Sequence, residues 1–189
     1  MEAALQIFSV KGYFHTSIAD VLAVTGLTKG GLYGHFGSKE ELWEAAYERT
    51  VEVWRGIVFR GVQEIEDPLE RIARAVENDL REYIGGGVFQ GKCFFFSMLV
   101  ELAGQSESMC NRILEGFRAF AGLLASWLEE SDRKGMLRPG VCHQEVADFL
   151  LTSINGAAAL YAAGREPRLL EETIRQVRLH LDSLRRSST

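Results

Sequence analysis

Between Thr25 and Trp43 the chain reads TGLTKGGLYGHFGSKEELW, a stretch that sets Lys29, Tyr33, His35 and Lys39 among five glycines. Such side chains can donate to phosphates or touch base edges and thymine methyls, so the chemistry they suggest is recognition of duplex DNA. Gly30, Gly31 and Gly34 would leave the outer face of a short helix nearly bare. The major groove admits one α-helix, and a bare face lets its backbone come close. Ser38-Lys39-Glu40-Glu41 has the S-x-x-E spacing of a capping box, and a helix N-terminus with Lys39 in its first turn suits a phosphate. Charge agrees locally: from Val10 to Lys39 the lysines at 11, 29 and 39 face one acid, Asp20, although the chain as a whole carries −5. DNA binding must therefore come from a local patch rather than bulk charge.

These groups need two short helices to position them. The pattern predicts helices over 17–24 and 28–35 with a bend at Gly26. Ile18, Val21 and Leu22 share a face of the first, and Ser17 and Asp20 have capping-box spacing, although Thr16 could equally be the cap. Thr28 can cap the second helix, Leu32 and Phe36 point inward, and Leu27 is expected to plug the angle between the helices. Two short helices with a glycine in the turn and apolar residues inside make a helix-turn-helix.

The run GYFHTSIADVLAVTGLTKGGLYGHFGSKEELW resembles the DNA-binding domain of the tetracycline-repressor (TetR) family of bacterial regulators. The likeness covers roughly Ala3 to Tyr47: G-[YF], T-S-I-x-D, a G-L-[TS]-K-G turn and L-Y-x-H-F-x-S-K-E occur in order. The resemblance implies a helical homodimer whose third helix reads the major groove and whose C-terminal domain binds a small-molecule effector that releases the DNA. It places Thr16 or Ser17, Thr28, Lys29, Tyr33, His35 and Lys39 at DNA-facing positions, with Gly30 and Gly31 against the groove. Members often carry a basic arm before the first helix. Here MEAALQIFSVKGYF looks like a helix already under way at residue 1, as if an upstream segment were missing; it also lacks the features of a signal peptide.

With 189 residues and 47% apolar side chains the chain can build a sizeable core. No run of about 18 uninterrupted apolar residues suggests a transmembrane helix. The cysteines at 93, 110 and 142 lack CxxC spacing, so neither a disulfide framework nor a metal site is indicated, and a reducing cytoplasm is the natural setting. The apolar period stays close to about 3.6. The expected fold is all-α with about nine helices: a three-helix helix-turn-helix domain over 1–46, and a larger helical effector-binding and dimerisation domain over 47–189. Further helices are predicted at 1–11, 39–63, from Pro68 to the Gly85–Gly87 triplet, and at 92–103, 107–134, 143–163 and 168–185, with a short RRSST tail.

In the last helix Leu170, Ile174, Val177, Leu181 and Leu184 follow steps of 4, 3, 4, 3, a coiled-coil-like seam. The helix before it carries small residues, among them Gly156, with Phe149 and Tyr161 nearby. Together they are assigned to a dimer interface, although both helices could instead complete a monomer core. On the apolar helix at 92–103, Cys93, Ser97, Glu101 and then Gln105 recur every four residues as one polar stripe. This stripe is assigned to an effector pocket with Phe96, Phe117, Phe120 and Trp127, the aromatic content of a region that in the resembled family holds the effector. Glu101 could alternatively pair with an arginine such as Arg112 or cap a neighbouring helix. Cys93, at a helix N-terminus, is a candidate electrophile sensor. There is no P-loop, dinucleotide fingerprint or nucleophile elbow, so no cofactor is indicated. The competing class is a helical small-molecule-binding protein or enzyme without DNA binding.

Overall fold

The computed structural model describes residues 2–90 and 92–186; Ser187, Ser188 and Thr189 of the tail lie outside them. Among the described residues there are nine α-helices: α1 Glu2–Lys11, α2 Ile18–Thr25, α3 Lys29–Tyr33, α4 Lys39–Val58, α5 Pro68–Asn78, α6 Phe94–Leu102, α7 Glu107–Arg133, α8 His143–Gly164 and α9 Pro167–Ser183. The all-α architecture is as expected. A π-helical segment, Asp79–Gly85, continues α5 toward the glycine triplet, a local widening that the apolar period does not foretell. The fourth helix also ends sooner than expected, at Val58, and a series of turns leads on to Asp67.

Caps fix most of the helix starts. Ser17, Thr28, Ser38, Asp67 and Ser106 each accept a backbone N–H of their own first turn, which satisfies donors that have no partner within the helix. Pro68 and Pro167 occupy the first helical turn, where a missing N–H costs nothing.

Leu5 and Phe8 of α1, Val21 of α2, Leu32 of α3 and Trp43, Ala46 and Tyr47 of α4 are all buried in the core, where α1 packs against both α2 and α4. The remaining helices close around Ile72, Leu80, Phe94, Leu124, Leu128 and Leu150. α4 therefore belongs to both halves.

The heptad-like seam of α9 is not an interface. Leu170, Ile174, Val177, Leu181 and Leu184 are each at most 4% exposed within one protomer, in the core that α9 forms with α5, α8 and the π-helical segment. A steady 4-3 spacing identifies the buried face of a helix but not which chain covers it. On the outer faces of the last two helices, α9 leaves Leu179 and α8 leaves Phe149 and Leu160 more than half exposed. Gly156 is exposed on the same helix, α8, with open space where a Cβ would stand. Tyr161 is half-buried, and the Arg165 guanidinium lies 5.8 Å from its ring centroid. By length and composition α8 could cross a membrane, but its inner face, Ala147, Leu150, Ile154 and Ala158, is buried in the bundle.

Candidate nucleic-acid interface and the cavity behind it

The helix-turn-helix is built largely by its own polar residues. Ser17 is the cap of α2: its hydroxyl accepts the Asp20 N–H at 3.1 Å, and the Asp20 carboxylate accepts the Ser17 N–H at 2.8 Å. Lys11, 2.6 Å from Asp20, and the Ser17 hydroxyl hold that carboxyl well below the usual carboxylate range. Gly26 ends α2 in the left-handed region at φ 69°, donating to Leu22 O, a conformation that glycine adopts without steric cost. Thr28 then caps α3, accepting the Gly31 N–H at 3.1 Å, while Leu32 plugs the short helix into the core. Leu27 is 45% exposed and does not fill the angle between the helices.

The outward surface carries Ser17, Thr28, Lys29, Gly30, Gly31, Tyr33 and His35, all exposed. The glycines differ in kind. A Cβ at Gly34 would meet Gly30 O at 3.3 Å, and one at Gly31 would meet Thr28 Oγ1 at 3.2 Å; one at Gly30 would meet nothing within 4 Å. The fold does not require the bareness of Gly30, whereas close approach of an outside surface would.

Two expected contacts change. Thr16 is fully buried, and its hydroxyl donates to Gly12 O at 2.6 Å; it closes the end of α1 and cannot present its side chain to DNA. Lys39 is half-buried, with its ammonium 4.3 Å from the Tyr13 ring centroid. Burial lowers its pKa, with Glu101 and Asp20 pulling the other way.

Glu101 likewise faces the end of α1 rather than the cavity that Phe95 of the same helix lines. Its carboxylate accepts the Tyr13 N–H at 2.9 Å and the Phe14 N–H at 2.8 Å, so α6 grips the turn that joins α1 to the helix-turn-helix. Gly12, at φ 82°, lies beneath the carboxylate; a Cβ there would come within 2.2 Å of Glu101 Oε2. Glu101 thus neither pairs with Arg112 nor caps a helix; it holds the two N–H groups of a turn. Arg112 instead pairs with Glu48 and lies over the Tyr47 ring.

A cavity of about 310 Å³ opens between α4, α6, α7, α8 and the π-helical segment, at the lower end of ligand-sized sites. Cys93, Phe117 and Phe120 line it, as expected. Phe96 and Ser97 are half-buried away from it, and Trp127 sits one layer behind, its ring 6.3 Å from that of Phe59. The reason is rotation of α6: Phe94, Phe95, Met98 and Leu102 form its buried face, which leaves Glu101 to the α1 side.

The polar group that composition did not flag is Asp79. It is 5% exposed, lines the cavity, and accepts the Trp54 indole N–H at 3.1 Å. Burial raises its pKa to about 7, against the opposing hydrogen bond from Trp54. A signal was present: Ile72, Val76, Asp79 and Tyr83 step by 4, 3, 4, so the acid occupies an inward register. Asn155 lines the same cavity; its amide donates to Leu151 O at 2.9 Å. Burial pushes the Cys93 thiol up to about 12, and Asp79 adds to this; the Phe95 and Phe96 N–H groups of the helix start pull it down but do not prevail. A reactive sensor needs the reverse, a thiolate at neutral pH.

A capped helix-turn-helix with an exposed, open-faced second helix, carried on a helical body, defines a DNA-binding transcriptional regulator. Residues 1–46 match the family described as bacterial regulatory proteins, tetR family, and residues 68–177 match the tetracyclin repressor-like C-terminal domain. The chain belongs to the TetR family, whose members are DNA-binding regulators rather than enzymes. Among relatives, the HTH-type transcriptional repressor DhaR of Mycobacterium sp. (strain GP1) is 24% identical over 83% of this chain and 77% of its own. A TetR transcriptional regulator from Chloroflexus aurantiacus superposes with a TM-score of 0.91 at 24% identity, covering 99% of this chain and 94% of that one. The regulator CifR, solved with a 26 bp double-strand operator DNA, gives 0.76 at 21% identity, with 97% and 93% covered.

Proposed function

We propose that the protein is a cytoplasmic, homodimeric repressor that binds a near-palindromic operator and leaves it when a small molecule fills the cavity. The observation that carries this reading is the span of α4. One helix of 20 residues starts at Lys39 beside the DNA-facing surface and supplies Tyr47, Val51 and Trp54 to the cavity wall. At 1.5 Å per residue it reaches about 30 Å, so a ligand that moves one end of it moves the other. Glu101 is a second link, because α6 supplies the cavity residue Phe95 and also holds the backbone of Tyr13 and Phe14. Residues 1–46 form the DNA-binding unit and 47–189 the effector and dimerisation unit.

Ser17, Thr28, Lys29, Gly30, Gly31, Tyr33 and His35 face the groove, and Lys39 at the start of α4 swings from Tyr13 to a phosphate. The outer faces of α8 and α9, with Phe149, Gly156, Tyr161 and Leu179, meet their copies in a two-fold dimer. That symmetry sets the recognition helices about one DNA turn, roughly 34 Å, apart or somewhat more. Operator DNA in the CifR structure and the repressor role in the name of DhaR support the reading. The test is binding of the purified protein to DNA flanking its own gene, against scrambled DNA, over a salt series. Tight binding to the flanking DNA alone, falling steeply with salt, is expected. Equal affinity for both DNAs overturns the proposal.

A further inference from the structure

Asp79 is the single carboxylate that the fold buries among the described residues, and no arginine, lysine or histidine forms an ion pair with it there. Such a group is costly to bury without a counter-charge. Its Oδ1 accepts the Trp54 indole N–H, while Oδ2 receives no hydrogen bond from a described residue. Asn155, on α8 beside the π-helical segment and lining the same cavity, uses its amide N–H on Leu151 O, and its own oxygen receives no hydrogen bond from a described residue. The cavity thus offers acceptors that the protein does not fill. Around them the lining is aromatic. Trp54 lies edge-to-face with Phe120 at 5.0 Å, Phe59 at 5.5 Å and Phe95 at 6.1 Å, and Phe95 meets Tyr47 at 5.6 Å. Aromatic faces attract cations as well as apolar bodies.

Resting on the effector-binding reading above, we infer that the cavity takes a lipophilic primary or secondary amine in its protonated form, its N–H groups directed to Asp79 and Asn155 and its apolar body held among Trp54, Phe59, Phe95 and Phe120. The two arginines of the lining do not oppose this. Arg112 is neutralised by Glu48 and lies over the Tyr47 ring, and Arg55 is exposed at the rim. An organic acid of the same shape would bring its charge to a buried carboxyl. A neutral alcohol could share the aromatic walls but would supply no counter-charge. The raised pKa of Asp79 agrees with a site that lacks its cation when empty.

The experiment is titration calorimetry on the full-length protein without DNA, with phenylbutylamine, phenylbutanol and phenylbutyrate as probes of nearly equal size. The amine is expected to bind most tightly. Asp79→Asn keeps an oxygen for the Trp54 indole; it is expected to weaken the amine by roughly ten- to a hundredfold, the loss that follows removal of a charge-assisted hydrogen bond, and to leave the alcohol unchanged. Alcohol or acid binding as tightly as the amine to the natural protein overturns the inference, and this arm needs no variant to fold. Undiminished amine binding by Asp79→Asn overturns it too. Release of operator DNA by the amine is read separately: an amine that binds through Asp79 but leaves the DNA complex intact supports the ligand class and overturns the effector-release reading instead.

Discussion

Asp79→Asn should also stabilise the empty protein, and by an amount that grows with pH. In the folded chain the Asp79 carboxyl is raised to about 7 from an ordinary value of 3.8. Because the folded form holds its proton more tightly than the unfolded form, stability from this group is fullest below the unfolded value and is lost as pH rises toward the folded one. A tenfold difference in proton affinity between the two forms is worth about 1.4 kcal/mol. Over the whole window the ionised acid therefore costs on the order of 4 kcal/mol, of which about 2–3 kcal/mol develops between about pH 5 and pH 8. Cys93 and Tyr83, also raised by burial, stay neutral through that range and leave Asp79 to titrate among them. Asparagine has no proton to lose and can still accept from Trp54. Urea unfolding of both proteins at a series of pH values gives the difference directly, with other titrating groups cancelling. A difference that stays flat from pH 5 to pH 8 would refute the view that Asp79 is buried without a counter-charge.

Gly30→Ala should separate folding from function. The site is open and alanine favours a helix, so stability should rise by up to about 1 kcal/mol while operator affinity falls; unchanged affinity in a gel-shift titration would remove Gly30 from the interface. Gly12→Ala combines φ 82° with a Cβ placed on the Glu101 carboxylate, and thermal unfolding should show a loss of about 1–3 kcal/mol. Its operator affinity should fall further than unfolding explains, because the grip of α6 on Tyr13 and Phe14 is broken. Phe149→Asp puts a charge on the exposed apolar face of α8; sedimentation should show a shift to monomer, and a variant that remains dimeric would place the interface elsewhere.

Most helix starts in this protein follow from the chain alone, although the π-helical segment at Asp79–Gly85 and the early end of α4 at Val58 do not. Glycine, proline and Ser/Thr/Asp caps act within one turn of chain, so the helix starts at Ser17, Thr28, Ser38 and Asp67 were legible, as was the helix-turn-helix with its exposed Lys29, Tyr33 and His35. The ordered motifs around them, from Thr16 to Glu41, also carried the family. What needed the packed molecule was the partner of each face. The 4-3 seam of α9 told which side is buried but not that the protomer's own helices bury it. The polar stripe of α6 was visible, yet only the rotation of that helix sends Glu101 to the end of α1 instead of the cavity. Asp79 stands in an inward register, but its consequence depends on the absence of a cation from neighbours distant in sequence. Periodicity is a property of one helix; burial, pKa and function at a cavity are set by several helices meeting, and that meeting is fixed only by the tertiary fold.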